Sequence, residues 1–361
     1  MGPPGSNGAP PEQRSPMAAI LTGGSVLDSP YRASGANPPA RKSKASRRWW
    51  MSALALAVVS LAAFLLYRTL SRYSLEQIVV SIKGIPAERM GMAGLFAGAS
   101  YLCLTGFDWL ALRYVGRPLP YRSAALASFT SLSLGHNIGF AALSSGAVRY
   151  RFYSRLGLTA GEVAKLILFC GFTVGLGLGI LGGSALLLRP ELAADVTGLQ
   201  KPIVVALGVA CLGLASAYVA MAALHRRGQV VKVRSWSLQM PPLRLAVAQV
   251  ILGPLNFACV AACLHQALAA VTDVGYLGVA SVYVIANVTS LITHVPGGLG
   301  VIESVVMFLL PGANLIGALI VFRFVYYLVP LAIGLPLFLT TELLFRKRRR
   351  NSPLARQVLQ Q

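Results

Sequence analysis

Six stretches of the chain, residues 49–67, 90–112, 161–188, 202–224, 243–270 and 314–345, are apolar almost throughout. At a rise of about 1.5 Å per residue, each is long enough to cross a hydrocarbon core of about 30 Å. Two further apolar stretches, 124–148 and 276–311, are broken near the middle by glycine and polar residues. The pattern predicts an all-α polytopic membrane protein with six full spans and two re-entrant helical hairpins.

The second break is the sharper one. His294 to Glu303 reads His-Val-Pro-Gly-Gly-Leu-Gly-Val-Ile-Glu. Pro296 removes a backbone donor, and Gly297, Gly298 and Gly300 favour turn conformations, so these four residues form a backbone hinge. Irregular backbone at membrane depth persists only where protein or a water-filled cavity satisfies it, and a carboxylate such as Glu303 beside it marks a candidate functional site. A short echo links the two hairpins. Thr130-Ser131-Leu132 runs to His136 and Gly139, and Thr289-Ser290-Leu291 runs to His294 and Gly297. Interrupted segments at corresponding places in two halves point to an inverted-repeat transporter with a site near the membrane midplane.

Charge orients these segments. Of 32 basic residues in 361, seven precede Trp49 and six follow Phe345, which places both termini in the cytoplasm by the positive-inside rule. Arg113, Arg117 and Arg122 precede the first hairpin and Arg149, Arg151 and Arg155 follow it, so both of its flanks are cytoplasmic. The neighbourhood of the second hairpin carries only Asp273 at 271–275 and no charge at 311–314. Its flanks are therefore expected outside, and the two hairpins enter from opposite faces. Residues 68–89, basic yet assigned to the outer side, fit as an amphipathic surface segment.

With 55% hydrophobic and 12% charged residues, the chain has no polar surface over which its net charge of +21 could serve nucleic acid. Anionic lipid and membrane topology explain that charge better. Residues 1–48, rich in Pro, Gly, Ala and Ser, have the composition of a disordered cytoplasmic tail. Residues 49–345 form the membrane domain, and 346–361 a basic cytoplasmic tail. The five cysteines fall in predicted spans without a Cys-x-x-Cys pair and read as small buried hydrophobes.

Candidate chemistry follows the hairpins. Arg149 and Arg151 lie just beyond a Ser- and Gly-rich arm, and their planar donor forks suit bidentate contact with phosphate. Arg155 fits better as a marker of the interface. Arg323 lies about ten residues into the last span, where an unpaired cation is costly, and Glu303 and Asp108 are its first expected partners. His136, Asn137 and His294 occupy the breaks, where an imidazole can relay protons or bond phosphate. Glu162 and Lys165 are expected to pair across one turn, and His265 to be a satisfied core residue. No Walker loop, nucleophile elbow or His-Glu-x-x-His helix is present, so neither an enzyme nor a cofactor is expected.

These residues also carry a resemblance. Gly135-His136-Asn137-Ile138-Gly139-Phe140, Gly146 to Leu158 with its Arg149-Tyr150-Arg151 centre, Val295 to Glu303, and Arg323 followed by Tyr326-Tyr327-Leu328-Val329-Pro330 resemble the lysylphosphatidylglycerol synthase transmembrane-domain family. This is the flippase half of the multiple peptide resistance factor proteins, which also occurs as stand-alone bacterial inner-membrane proteins. The resemblance covers roughly residues 49 to 345 in four motifs kept in order. It implies a domain with re-entrant helices that moves phospholipid between leaflets, with lipid headgroups as partners. Bifunctional members continue into a soluble synthase domain, which this chain is not expected to carry, so lipid aminoacylation is not implied. Two rival readings remain from the residues alone: an ion-coupled transporter of a small polar solute, and a non-transporting subunit of envelope assembly. Oligomeric state stays open, a homo-oligomer included.

Overall fold

Capping residues and prolines set where the helices begin. In the computed structural model, which describes residues 75–138, 141–224, 230–233, 236–293, 298–310 and 315–350, a short helix α1 (Leu75–Lys83) is followed at Pro86 by α2 (Ala87–Tyr114). Helices α3 (Tyr121–Ile138) and α4 (Ala141–Arg155) come next. Thr159 then opens α5 (Ala160–Leu188) with a capping box, its hydroxyl accepting from the Glu162 N–H while the Glu162 carboxylate accepts from the Thr159 N–H at 2.7 Å. Helix α6 (Pro190–Thr197) starts on a proline, and α7 (Lys201–Leu224) leads to a two-stranded antiparallel ribbon. Its strands are β1 (Val230–Val233) and β2 (Trp236–Gln239), in a register that pairs Val230 with Gln239. Helices α8 (Leu243–Leu268), α9 (Tyr276–Thr293), α10 (Val301–Leu309) and α11 (Leu315–Arg323) follow, and a π-helical turn at Phe324–Leu328 runs into α12 (Val329–Arg350).

Among the described residues, six helices are long and apolar enough to cross a membrane: α2, α5, α7, α8, α9, and α11 continued through the π turn into α12. The protein is thus an all-α polytopic membrane protein, the small β ribbon apart. Five of the six match predicted spans. The sixth, α9, is one that the pattern assigned to an arm of the second hairpin, and at 18 residues it reaches about 27 Å, nearly the thickness of the hydrocarbon. The span predicted at 49–67, the tail at 1–48, residues 294–297 and residues 351–361 lie outside the described residues. The ribbon lies between the predicted spans 202–224 and 243–270 and is an addition to the prediction. Helix α12 also extends into the predicted basic tail, as far as Arg350.

Helix α2 packs along α8, with α3 and α5 against it, and α12 lies on α3. Small residues make these approaches close. A Cβ on Gly253 would come within 2.8 Å of the Thr173 carbonyl oxygen and 2.9 Å of the Gly177 Cα, so α5 and α8 touch backbone to backbone, as interfaces in lipid favour. Likewise a Cβ on Gly135 would lie 2.7 Å from that of Ser145, which sets α3 and α4 side by side. The hydroxyls of the buried stripe Ser128, Thr130, Ser131 and Ser133 bond to carbonyls, Ser128 reaching Leu104 of α2 at 3.1 Å. The outside is aliphatic: Leu214 of α7 is 73% exposed, as a lipid-facing side chain should be.

Enlarging Gly253 to Val should force α5 and α8 apart and lower the thermal midpoint in detergent. Gly175→Ala, with nothing near its added methyl, should leave the midpoint unchanged or raise it by about 0.5–1 kcal/mol worth of stability.

Candidate functional site

Among the described residues, buried charge is arranged in three clusters, each tying one helix to another. The first lies between α2, α4 and α5. Arg149 Nη2 and Nε donate to Asp108 at 2.8 and 3.0 Å, and Tyr153 donates to the same carboxylate at 2.8 Å. Arg149 also donates to Ser145 at 3.1 Å, and the Cys170 Sγ stands 3.6 Å from Asp108. Asp108 is fully buried, and four donors converge on its two oxygens.

The second cluster binds α4 to α12. Arg151 makes a fork on Glu342 at 2.8 and 2.6 Å, and Arg155 reaches the same carboxylate at 2.7 and 2.9 Å. The Arg155 guanidinium also stands 5.1 Å from the centre of the Phe345 ring. Two cations thus share one anion.

The third cluster organises the glycine break. Gly298 and Gly300 adopt φ of 59° and 83°, in the left-handed region that a residue without a Cβ enters freely. Glu303 reaches back to accept from the Gly300 N–H at 2.9 Å, capping α10. Arg323 pairs with Glu303 through two nitrogens, one at 2.9 Å, and donates to the Gly298 carbonyl at 2.8 Å. At the two glycines a carboxylate thus serves the Gly300 donor and a guanidinium serves the Gly298 acceptor.

These geometries sort the sequence expectations. Arg323 does pair with Glu303, but Asp108 is taken by Arg149, because α2 faces α4 and α5 at that level. Arg149 and Arg151 both end on carboxylates. Glu162 pairs with Arg117 at 2.9 Å instead of with Lys165, since its capping role turns it back toward the loop before α5. His265 bonds the Val274 carbonyl at 3.0 Å. His294, Pro296 and Gly297 lie outside the described residues. Glu342 went unnoticed in the sequence although it is the one carboxylate in its apolar run, a signal hidden by the adjacent basic cluster.

Between the clusters lies an uncharged polar region. Asn137 donates to its own helix at Ser133 (2.9 Å) and to the Tyr327 carbonyl (3.3 Å), a carbonyl of the π turn, where the ordinary helical ladder is interrupted. Tyr326 of that turn meets the Ser100 hydroxyl at 3.0 Å, and Ser100 donates to Asn256 at 2.7 Å. The first helix pair and the last span are joined here. Helical interruptions lined by matched charges within an apolar bundle define a polytopic membrane protein with a polar interior.

The chain belongs to the family described as the lysylphosphatidylglycerol synthase TM region, which it matches over residues 52–334. It is 29% identical over 289 residues to an uncharacterized protein of Synechocystis sp., covering 78% of this chain and 88% of that one. It is also 28% identical over 262 residues to the inner membrane protein YbhN of Escherichia coli, covering 71% and 81%.

Asp108→Asn should leave the Arg149 charge buried without its counterion and cost about 3–5 kcal/mol. The double variant Asp108→Asn with Arg149→Met should recover most of that loss, and the coupling can be read from thermal melts of all four forms.

Proposed function

We propose that this protein moves phospholipid between the leaflets of a bacterial inner membrane. In this reading α3–α4 and α9–α10 are re-entrant hairpins inserted from opposite faces, with both termini in the cytoplasm, and the polar interior between them is the headgroup's path. The observation that carries it is that, among the described residues, each of the buried arginines Arg149, Arg151 and Arg323 bonds a carboxylate on a different helix. A phosphate offers a guanidinium fork the same two-oxygen geometry as a carboxylate. It can take the place of Asp108, Glu342 or Glu303 in turn, while the released carboxylate meets a cationic headgroup. His136 and Asn137 border the path. Membership of the family and the likeness to a relative named as an inner membrane protein support the same reading.

One observation favours a second reading. Asp108 already accepts from Arg149, Tyr153 and Cys170, the saturation expected of a static fastening in a subunit that transports nothing. An ion-coupled carrier of a small polar solute would use the same interior, but its flux would follow a pH gradient and not lipid composition.

The purified protein in liposomes carrying a tail-labelled fluorescent phospholipid should speed bleaching of the inner-leaflet dye by an external reductant. Arg323→Lys, which keeps the charge and loses the fork, should fall toward the rate of empty liposomes while its melting midpoint stays close to that of the wild type. Equal rates with and without protein, across several headgroups, would sink the lipid reading.

A further inference from the structure

Among the described residues, two buried side-chain polar atoms have no bonding partner within the protein: the Tyr101 hydroxyl and the His136 Nδ1. Their rings are neighbours. Tyr101 of α2 is 5% exposed, and its ring lies edge-on to His136 at 6.1 Å between centroids. Tyr326 of the π turn closes the group, stacked on His136 at 6.3 Å and 5.7 Å from Tyr101. Three elements therefore converge on two unmatched polar atoms, directly beside Asn137 and its bond to Tyr327.

Leaving a buried hydroxyl or ring nitrogen unbonded is destabilising, and such atoms in a folded protein call for an occupant. The surrounding polar groups are matched: Ser100 with Asn256 and Tyr326, Asn137 with Ser133 and Tyr327. Ring packing alone would be served equally by phenylalanine at 101. The chemistry of the occupant follows from what lines the place. A phenol both donates and accepts, and an imidazole nitrogen does one or the other according to tautomer. The guanidinium groups of Arg149 and Arg323 are each held by a carboxylate, so the lining is neutral. An anion would be drawn to those arginines and an ammonium would need a carboxylate, whereas an O–H group can donate to one wall and accept from the other.

We propose that Tyr101 and His136 together hold a neutral hydroxyl group, supplied by a bound water or by the hydroxyl of a polyol headgroup. The headgroup source rests on the lipid-transport reading, and the water source does not. Either occupant sits where the first helix pair meets the π turn and so bridges the parts of the interior that a passing headgroup must separate.

Tyr101→Phe removes the hydroxyl and keeps the ring. If a group is held there, the variant melts below the wild type, and His136→Leu shifts the midpoint in the same direction without adding to it in the double variant. An unchanged or raised midpoint for Tyr101→Phe would overturn the proposal, because deleting an unbonded hydroxyl relieves the fold. Liposomes then separate the sources. Phosphatidylglycerol ends in hydroxyls and phosphatidylethanolamine does not, so a headgroup occupant predicts that Tyr101→Phe slows the former by roughly fivefold and spares the latter. Equal effects on both lipids, with the lower midpoint retained, assign the site to water. Absence of any lipid movement by the wild type would reject the transport reading and leave the melting result to decide this one.

Discussion

A guanidinium placed among lipid tails must be met by an anion from another part of the chain, because no water is there to hydrate it. Arg149, Arg151 and Arg323 each obey that requirement, and the partners it imposes bring together α2 with α4, α4 with α12, and α10 with α11. Hydrophobic burial gives these helices no reason to prefer one neighbour over another, since lipid is as apolar as leucine. Specificity falls instead to the ion pairs and to the small residues that let backbones approach. Gly177 against Gly253 and Gly135 against Ser145 supply the closeness, and the charges supply the register.

The same logic explains how much could be read from the sequence. Long apolar runs announce themselves, and α2, α5, α7, α8 and the last span fall where the pattern put them. Arg323 and Glu303 were legible as partners because each is the one charge of its sign in its apolar stretch, which leaves few choices. The Asp108–Arg149 pair was not, since it depends on which way α2 and α4 are rotated, and neither rotation is encoded locally. Glu342 was masked by the basic cluster that follows it, which makes the end of the span look interfacial. Cys170 was read as an inert apolar residue, and nothing in its immediate sequence places its sulfur beside a carboxylate.

The helix break before α10 shows how a membrane protein tolerates irregular backbone. One side-chain pair supplies both an acceptor for the Gly300 N–H and a donor for the Gly298 carbonyl, so the loop keeps its shape only while Glu303 and Arg323 remain together. The π turn that follows Arg323 sits at the opposite end of the same local network. Its Tyr327 carbonyl takes a bond from Asn137 on α3, and its Tyr326 faces α2. Disturbance of either helix pair is thus felt at a single turn of the last span.

Arg151 and Arg155 stand four residues apart on α4, one above the other, and both grip Glu342. The contact is therefore braced twice: drawing α4 away from α12 has to break both guanidinium contacts, and Glu342 keeps a counterion when either one is lost.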